Sequence, residues 1–234
     1  MSANAIRNEL LALADKERAQ LSQRFFKCGK GQYAEGDIFI GVTVPAMRSV
    51  AKHHGNATMK DVEVLLKDPV HECRFLALIL LVALFRKADE EGRQAIYDFY
   101  VRHLRHVNNW DLTDSSAYQI VGAHLFSGDR SVLDSLARSN HLWTQRVAMV
   151  STFAFIQEGQ TADTFRIANI LLSHSHDLMH KAVGWMLREA GKRDGFALRR
   201  FLQTRYEKMP RTMLRYAIEK FPDEERKRYL ARTV

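Results

Sequence analysis

The sequence predicts an all-α protein, a solenoid of stacked antiparallel helix pairs around a concave basic groove, with residues 1–234 forming one domain. Three observations predict it. Glycine and proline are scarce, 12 and 4 in 234 residues, so little in the chain interrupts a helix. Apolar residues recur at intervals of three and four rather than two, the period of helices and not of strands. The more apolar helices, "HECRFLALILL", "NNWDLTDSSAY", "WTQRVAMVSTF", "MHKAVGWMLRE" and "TMLRYAIEKF", superpose on Arg74, Trp110, Arg146, Lys181 and Arg215 at steps of 36, 36, 35 and 34 residues. That step is the length of one helix pair with short links. An ordinary helical bundle whose lengths happen to agree is the alternative.

In chain order, "MSANAIRNELLALADKERAQ" breaks its apolar residues with charges every few positions, which excludes a signal peptide and predicts a broken helix near 3–27. The one irregular segment is "CGKGQYAEGDIFIGVTV", 28–44; it holds Gly29, Gly31 and Gly36 but no GKS/T after a strand, so it is no nucleotide loop. Helices follow at 45–54 and at 58–66, the second marked by Thr58 and Asp61. The helix at 69–87 opens at "KDPV", where Asp68 caps and Pro69 takes a first helical position. Its apolar run "FLALILLVALF" is too short to span a bilayer. Asp89 opens 89–106. The remaining helices are expected at 110–126, 130–139, 142–158, 162–173, 177–191, 194–207, 210–220 and 223–232.

Hydrophobic residues make up 46% of the chain and charged ones 26%, the composition of a folded soluble protein. Lys and Arg number 35 against 27 Asp and Glu, a formal charge of +8, so a polyanion is the natural partner class. The only cysteines, Cys28 and Cys73, form no CxxC and pair with no histidine at zinc spacing; a disulfide framework is not expected, and a reducing, cytoplasmic location fits. Of His174, His176 and His180, only the last two share a helix face, and no carboxylate or cysteine completes a tetrahedral set, so no metal is expected.

On the repeat register, Trp110, Arg146 and Lys181 fall in one row, and Asp114, Val150 and Trp185 one turn further along. Trp185 has Lys181, Arg188 and Glu189 as its helical neighbours, and a large ring on a polar face is a contact surface. Arg146 lies between Trp143 and Val150, a guanidinium on an apolar face that calls for an anion, whether Asp114 or a phosphate. Acids in the first turn of a helix are favoured by the macrodipole, which by itself accounts for Asp111 and Asp114. The stretches around Lys192, Arg193, Arg199 and Arg200 are solvated faces that can also flank a groove and meet phosphates.

At these residues the chain resembles the AlkD family of DNA glycosylases, built of HEAT-like repeats, which remove N3- and N7-alkylated purines. "NNWDLTDSS" resembles the family's Trp-Asp-x-x-Asp-Ser motif, "LWTQRVAM" its Trp-x-x-Arg motif, "KAVGWMLREAGK" its Gly-Trp-x-x-Arg-Glu motif and "GVTVPAMR" its entry segment, in order over roughly residues 20–220. The resemblance implies that Trp110 and Trp185 are cleft aromatics, Asp114 the catalytic carboxylate and Arg146 the cleft arginine. Lys181, Arg188 and Lys192 are then expected to contact DNA. "QRFFKC" puts Phe25 where some members carry a tyrosine, and the 28–37 segment is longer than theirs. Relatives without the acid are thought to bind DNA without this chemistry, so Asp114 favours an active enzyme.

Such an enzyme needs no cofactor. A purine alkylated at N3 or N7 is already cationic and departs neutral, so what must be stabilised is the oxocarbenium-like deoxyribose, a task for a carboxylate and two indole faces. The expected partner is double-stranded DNA bearing alkylated purines, met by a monomer without metal or membrane. Asp111 is expected to serve only the helix end. The rival reading is a noncatalytic helical-repeat module that binds nucleic acid or an acidic protein.

Overall fold

The computed structural model describes residues 2–234. Among them are fifteen α-helices, a 3-10 turn at Leu104–His106 and a π-helical stretch at Tyr118–Gly122; the one β feature is an isolated parallel bridge between Ile38 and Val70. The helices divide into two compact units, residues 1–116 and 117–234.

The first unit holds α1 (Ala3–Leu11), α2 (Lys16–Phe25), α3 (Val44–His53), α4 (Met59–Leu66), α5 (His71–Lys87), α6 (Glu90–Arg102) and most of α7 (Trp110–Ala117). The expected break in 3–27 falls at residues 12–15, where Asp15 caps α2 by accepting from the Arg18 N–H. Thr58 and Asp61 form a reciprocal capping box at α4, and Asp89 caps α6. Pro69 lies outside α5, contrary to expectation: Val70 is the cap residue and Asp68 accepts from the Val70 N–H at 2.8 Å. The reason is Arg74, whose Nη1 draws the Asp68 and Pro69 carbonyls toward it at 2.9 Å each. α5 is buried on nearly every side, as a helix apolar all round must be, with α3, α4 and α6 packed on it and α1 against α3 and α4.

Segment 28–43 is irregular, as expected, yet tied down toward its C-terminal end. The Ile40 carbonyl accepts from the Asp15 N–H, the Ile38 carbonyl accepts from the His71 N–H, and the Glu72 carboxylate accepts from Ile40 and Gly41 N–H. These bonds satisfy backbone groups that no ladder serves.

The second unit holds α8 (Val132–Ala137), α9 (Leu142–Ser151), α10 (Phe153–Gln157), α11 (Ala162–Ile170), α12 (Asp177–Arg193), α13 (Gly195–Gln203), α14 (Arg211–Ala217) and α15 (Asp223–Ala231). The helices aligned by the repeat are neighbours here: the π stretch packs on α9, α9 on α12, and α12 on α14. Their partners α8, α11 and α13 pack on α9, α12 and α12 respectively, and α8 on α11. This is the stacked-pair arrangement the 35-residue step predicts.

Two expected helices are interrupted. The 142–158 helix bends at Thr152, where Ser151 Oγ donates to the Val147 carbonyl and Thr152 Oγ1 to the Met149 carbonyl, both at 2.7 Å; such back-bonding bends helices. The 110–126 helix passes into the π stretch after Ala117. Gly122 permits this stretch to lie against the bend, since a Cβ there would come within 2.3 Å of the Ser151 carbonyl oxygen.

Candidate active site

Helix α7 begins in "NNWDLTDSS". Asn109 caps it: its side-chain oxygen accepts from the Trp110 N–H at 2.8 Å, and its carbonyl accepts from the Thr113 N–H and Oγ1. Leu112, Thr113, Ser116 and Ala117 are fully buried and set the inner face, which leaves Trp110, Asp111, Asp114 and Ser115 half-exposed. Trp110 and Asp114, four residues apart, stand one above the other. Beneath them Ser116 Oγ donates to the Leu112 carbonyl and accepts from the Tyr100 hydroxyl at 2.8 Å. Burial pushes the Tyr100 hydroxyl pKa far up; the Ser116 bond opposes this and the nearby Asp114 adds to it.

Asp111 corrects the sequence reading. Its Oδ1 accepts from the adjacent Leu112 N–H, but Oδ2 lies 2.8 Å from His71 Nε2 on α5. His71 Nδ1 in turn faces Asp37 Oδ2 at 3.4 Å, and Asp37 accepts from Arg74 Nη2 at 2.6 Å and Asn108 Nδ2 at 3.0 Å. Arg74 Nε closes the loop on the Asn108 side-chain oxygen at 3.1 Å. Burial pushes the Asp37 pKa up, but the His71 hydrogen bond, the Arg74 charge and the Asn108 bond outweigh it and hold the carboxyl below its ordinary range. The two asparagines before Trp110 therefore serve this network and the cap.

Aromatic rings cover the outer side. Phe26 stacks on the Trp110 ring with centroids 5.3 Å apart and planes at 18°, and Phe25 meets Trp110 edge-on at 6.0 Å. Phe25 is 66% exposed, so the ring expected beside the site is there and faces solvent.

The other expected residues lie in the second unit. Trp185 on α12 is half-exposed, between the buried positions 182–184 and 186–187, with its ring 6.0 Å from Phe153, itself 5.3 Å from Tyr118. Gly184 precedes it because α12 and α14 cross there: a Cβ would come within 2.5 Å of the Met213 carbonyl oxygen and of Tyr216 Cβ. Arg146 is buried, and its Nη1 donates to the Leu178 carbonyl at 2.5 Å. The need for an anion inferred from its apolar neighbours is met in part by this carbonyl at the start of α12. Lys181 pairs with Asp177 at 2.7 Å, Lys192 with Glu189 at 2.7 Å, and Arg188 with both Glu189 and Glu219. Each cation expected to meet phosphate thus has a partner within its own unit. Lys181 and Lys192 are more than two-fifths exposed, in pairs weak enough for a phosphate to exchange into.

Cys28 and Cys73 are free thiols, and burial pushes Cys73 up to about 12, which keeps it an inert thiol. His174 Nε2 contacts Gln145, His176 caps α12 and His180 Nε2 contacts the His174 carbonyl; among the described residues no group of His, Cys, Asp and Glu is arranged to hold a metal. No described helix is long and apolar enough to cross a membrane.

Comparison with known proteins gives the same direction. The family model described as DNA alkylation repair enzyme matches residues 6–221. No curated protein matches the sequence. A solved structure, a predicted DNA alkylation repair enzyme from Enterococcus faecalis, superposes with a TM-score of 0.69 at 14% identity, covering 90% of this chain and 97% of that one. At that identity the likeness shows the fold.

Proposed function

Given that the chain belongs to the DNA alkylation repair enzyme family, we propose that it is a monofunctional DNA glycosylase that excises cationic N3- and N7-alkylated purines from duplex DNA. One observation carries the reading. Asp114 stands half-exposed one turn along α7 from a half-exposed indole that Phe26 holds in plane, on a helix whose other face is fully buried.

The chemistry follows from the charge. In an alkylated purine the ring cation has weakened the glycosidic bond, and the base leaves neutral without a proton from the protein. Positive charge then grows on the deoxyribose. A carboxylate attracts that charge, and the face of Trp110 does so through its quadrupole, each more strongly in the transition state than in the ground state. Asp114 also accepts a proton from the attacking water. Trp185 enters by its motif and by its position as a half-exposed indole on a charged helix face. Neutral purines, lacking the built-in charge, find no general acid here and are spared. Lys181, Arg188 and Lys192 give up their carboxylates to backbone phosphates when duplex arrives.

The test is release of free methylated base from methylated duplex, measured by chromatography against unmodified duplex. Release confined to the methylated duplex supports the reading. Salt-sensitive binding with no release would favour the noncatalytic module instead.

A further inference from the structure

The Trp110 ring is the outer member of an aromatic cluster. Phe26 stacks on it, Phe39 stacks on Phe26 at 4.7 Å and 17°, and His71 stacks on Phe39 at 4.3 Å and 24°. His71 also meets Phe26 directly, with centroids 5.3 Å apart and planes tilted by 39°, and is 2% exposed, with one ring nitrogen toward Asp111 and the other toward Asp37. The same imidazole therefore touches the start of α7 through Asp111 and the plane of Trp110 through the stack.

We propose that His71 is the positioning residue of this site: held as an imidazolium between Asp37 and Asp111, it fixes the start of α7, and with it Asp114, and sets the plane of the Trp110 indole. The proposal rests on the glycosylase reading for its consequence in base release. A neutral imidazole has one N–H and would turn a lone pair toward one of the two carboxylates, whereas the imidazolium donates to both. Charge balances as well, Asp37 and Asp111 against His71 and Arg74. Burial lowers the His71 pKa, but the bonds to Asp111 and Asp37 outweigh it and leave it above the ordinary histidine value, with Arg74 opposing. The charged and titratable groups around it are Arg74 and Glu72 from α5, Asp37 and Cys28 from the 28–43 segment, and Asp111 from α7. Of these, Glu72 is bonded to the Ile40 and Gly41 amides, and burial raises Cys28 so that it stays neutral. The doubly bonded histidine makes the hold on α7 depend on one proton.

The experiment follows the proton and its consequence together. Nitrogen-15 histidine spectra of the whole protein, with His71→Gln for assignment, report the His71 protonation state, while the Trp110 indole N–H resonance reports the ring. Single-turnover release of N7-methylguanine from duplex is measured over the same pH range. The expected result is an imidazolium in the wild type through neutral pH. Asp111→Asn, which keeps the size and one hydrogen bond, moves the titration to lower pH. The Trp110 resonance then shifts with it, and release falls on the order of 10- to 100-fold as the proton is lost, a cost typical of small misplacements in a site. Duplex affinity stays the same. A neutral His71 in the wild type at pH 7 overturns the proposal, as does a Trp110 resonance indifferent to the His71 titration in Asp111→Asn. His71→Phe, which keeps the ring and removes both bonds, should fold less stably and release base slowly per folded molecule; normal release per folded molecule would also overturn it. If the wild type releases no base, the glycosylase reading falls by itself, and the coupling of Trp110 to the His71 proton is still decided by the spectra.

Discussion

Replacing Gly184 with alanine sets two calculable effects against each other. Alanine is the better helix former by about 1 kcal/mol, so on propensity alone the change stabilises α12. The added Cβ, however, would lie 2.5 Å from the Met213 carbonyl oxygen and 2.5 Å from Tyr216 Cβ, about 1 Å inside ordinary contact. Neither obstacle is a side-chain end that can rotate aside, so α12 and α14 must separate, an overpacking cost of about 1–3 kcal/mol. The clash, with backbone as one obstacle, outweighs the gain, and a net loss of up to about 2 kcal/mol is expected, seen in urea denaturation as a lower midpoint with unchanged slope. Thermal unfolding should fall by about 2–4 °C per kcal/mol for a chain of this size. Gly191→Ala, on the same helix, meets chiefly the mobile end of Leu198 and should cost less. Because Trp185 rides on the displaced turn, base release should fall in the same variant. A midpoint equal to or above the wild type would show that propensity prevails and that the α12–α14 crossing does not require glycine.

Trp110→Ala and Trp185→Ala should each slow N7-methylguanine release by on the order of 1–2 kcal/mol, about tenfold or somewhat more, while duplex affinity changes less, and phenylalanine should be the better replacement at both. Severe thermal destabilisation with a normal rate per folded molecule would instead make these rings packing elements. Lys181→Ala and Lys192→Ala should leave stability almost unchanged, as exposed ion pairs do, but weaken duplex binding. Each should also flatten the slope of log affinity against log salt by about 0.9 for every phosphate no longer neutralised, read from binding titrations at several salt concentrations. Arg146→Ala should behave differently, losing about 1–3 kcal/mol in urea because the Leu178 carbonyl loses its donor.

Much of this was readable in the chain because its signals are local. Thr58 with Asp61 and Asp89 state where helices begin, since capping involves residues within one turn. The repeat located the helices that pack as neighbours in the second unit, because a fixed step brings equivalent faces together. What escaped depends on partners distant in sequence. An acid in the first turn is favourable wherever it lies, so Asp111 looked like a helix-end charge, while its partner His71 is 40 residues away. Asp37 sits in the irregular segment and its Asn108 partner is 71 residues on. Arg188 reads as a free cation until Glu219, 31 residues later, is folded beside it. The π stretch after Ala117 left no trace in the apolar period; it lies against α9, where Gly122 leaves no room for a Cβ beside the Ser151 carbonyl. Trp185, by contrast, was legible from its charged helical neighbours alone, and it does remain half-exposed.

The central claim is that Asp114 stabilises charge as the glycosidic bond breaks. The most direct measurement is single-turnover release of N7-methylguanine from duplex by Asp114→Asn, with duplex affinity measured on the same preparation. Asparagine keeps the size and removes the negative charge, so the account predicts a loss on the order of 10²–10³-fold or more in rate, the scale of removing one preorganised electrostatic contact, with affinity equal or slightly higher. Release at the wild-type rate by a folded Asp114→Asn protein would contradict it.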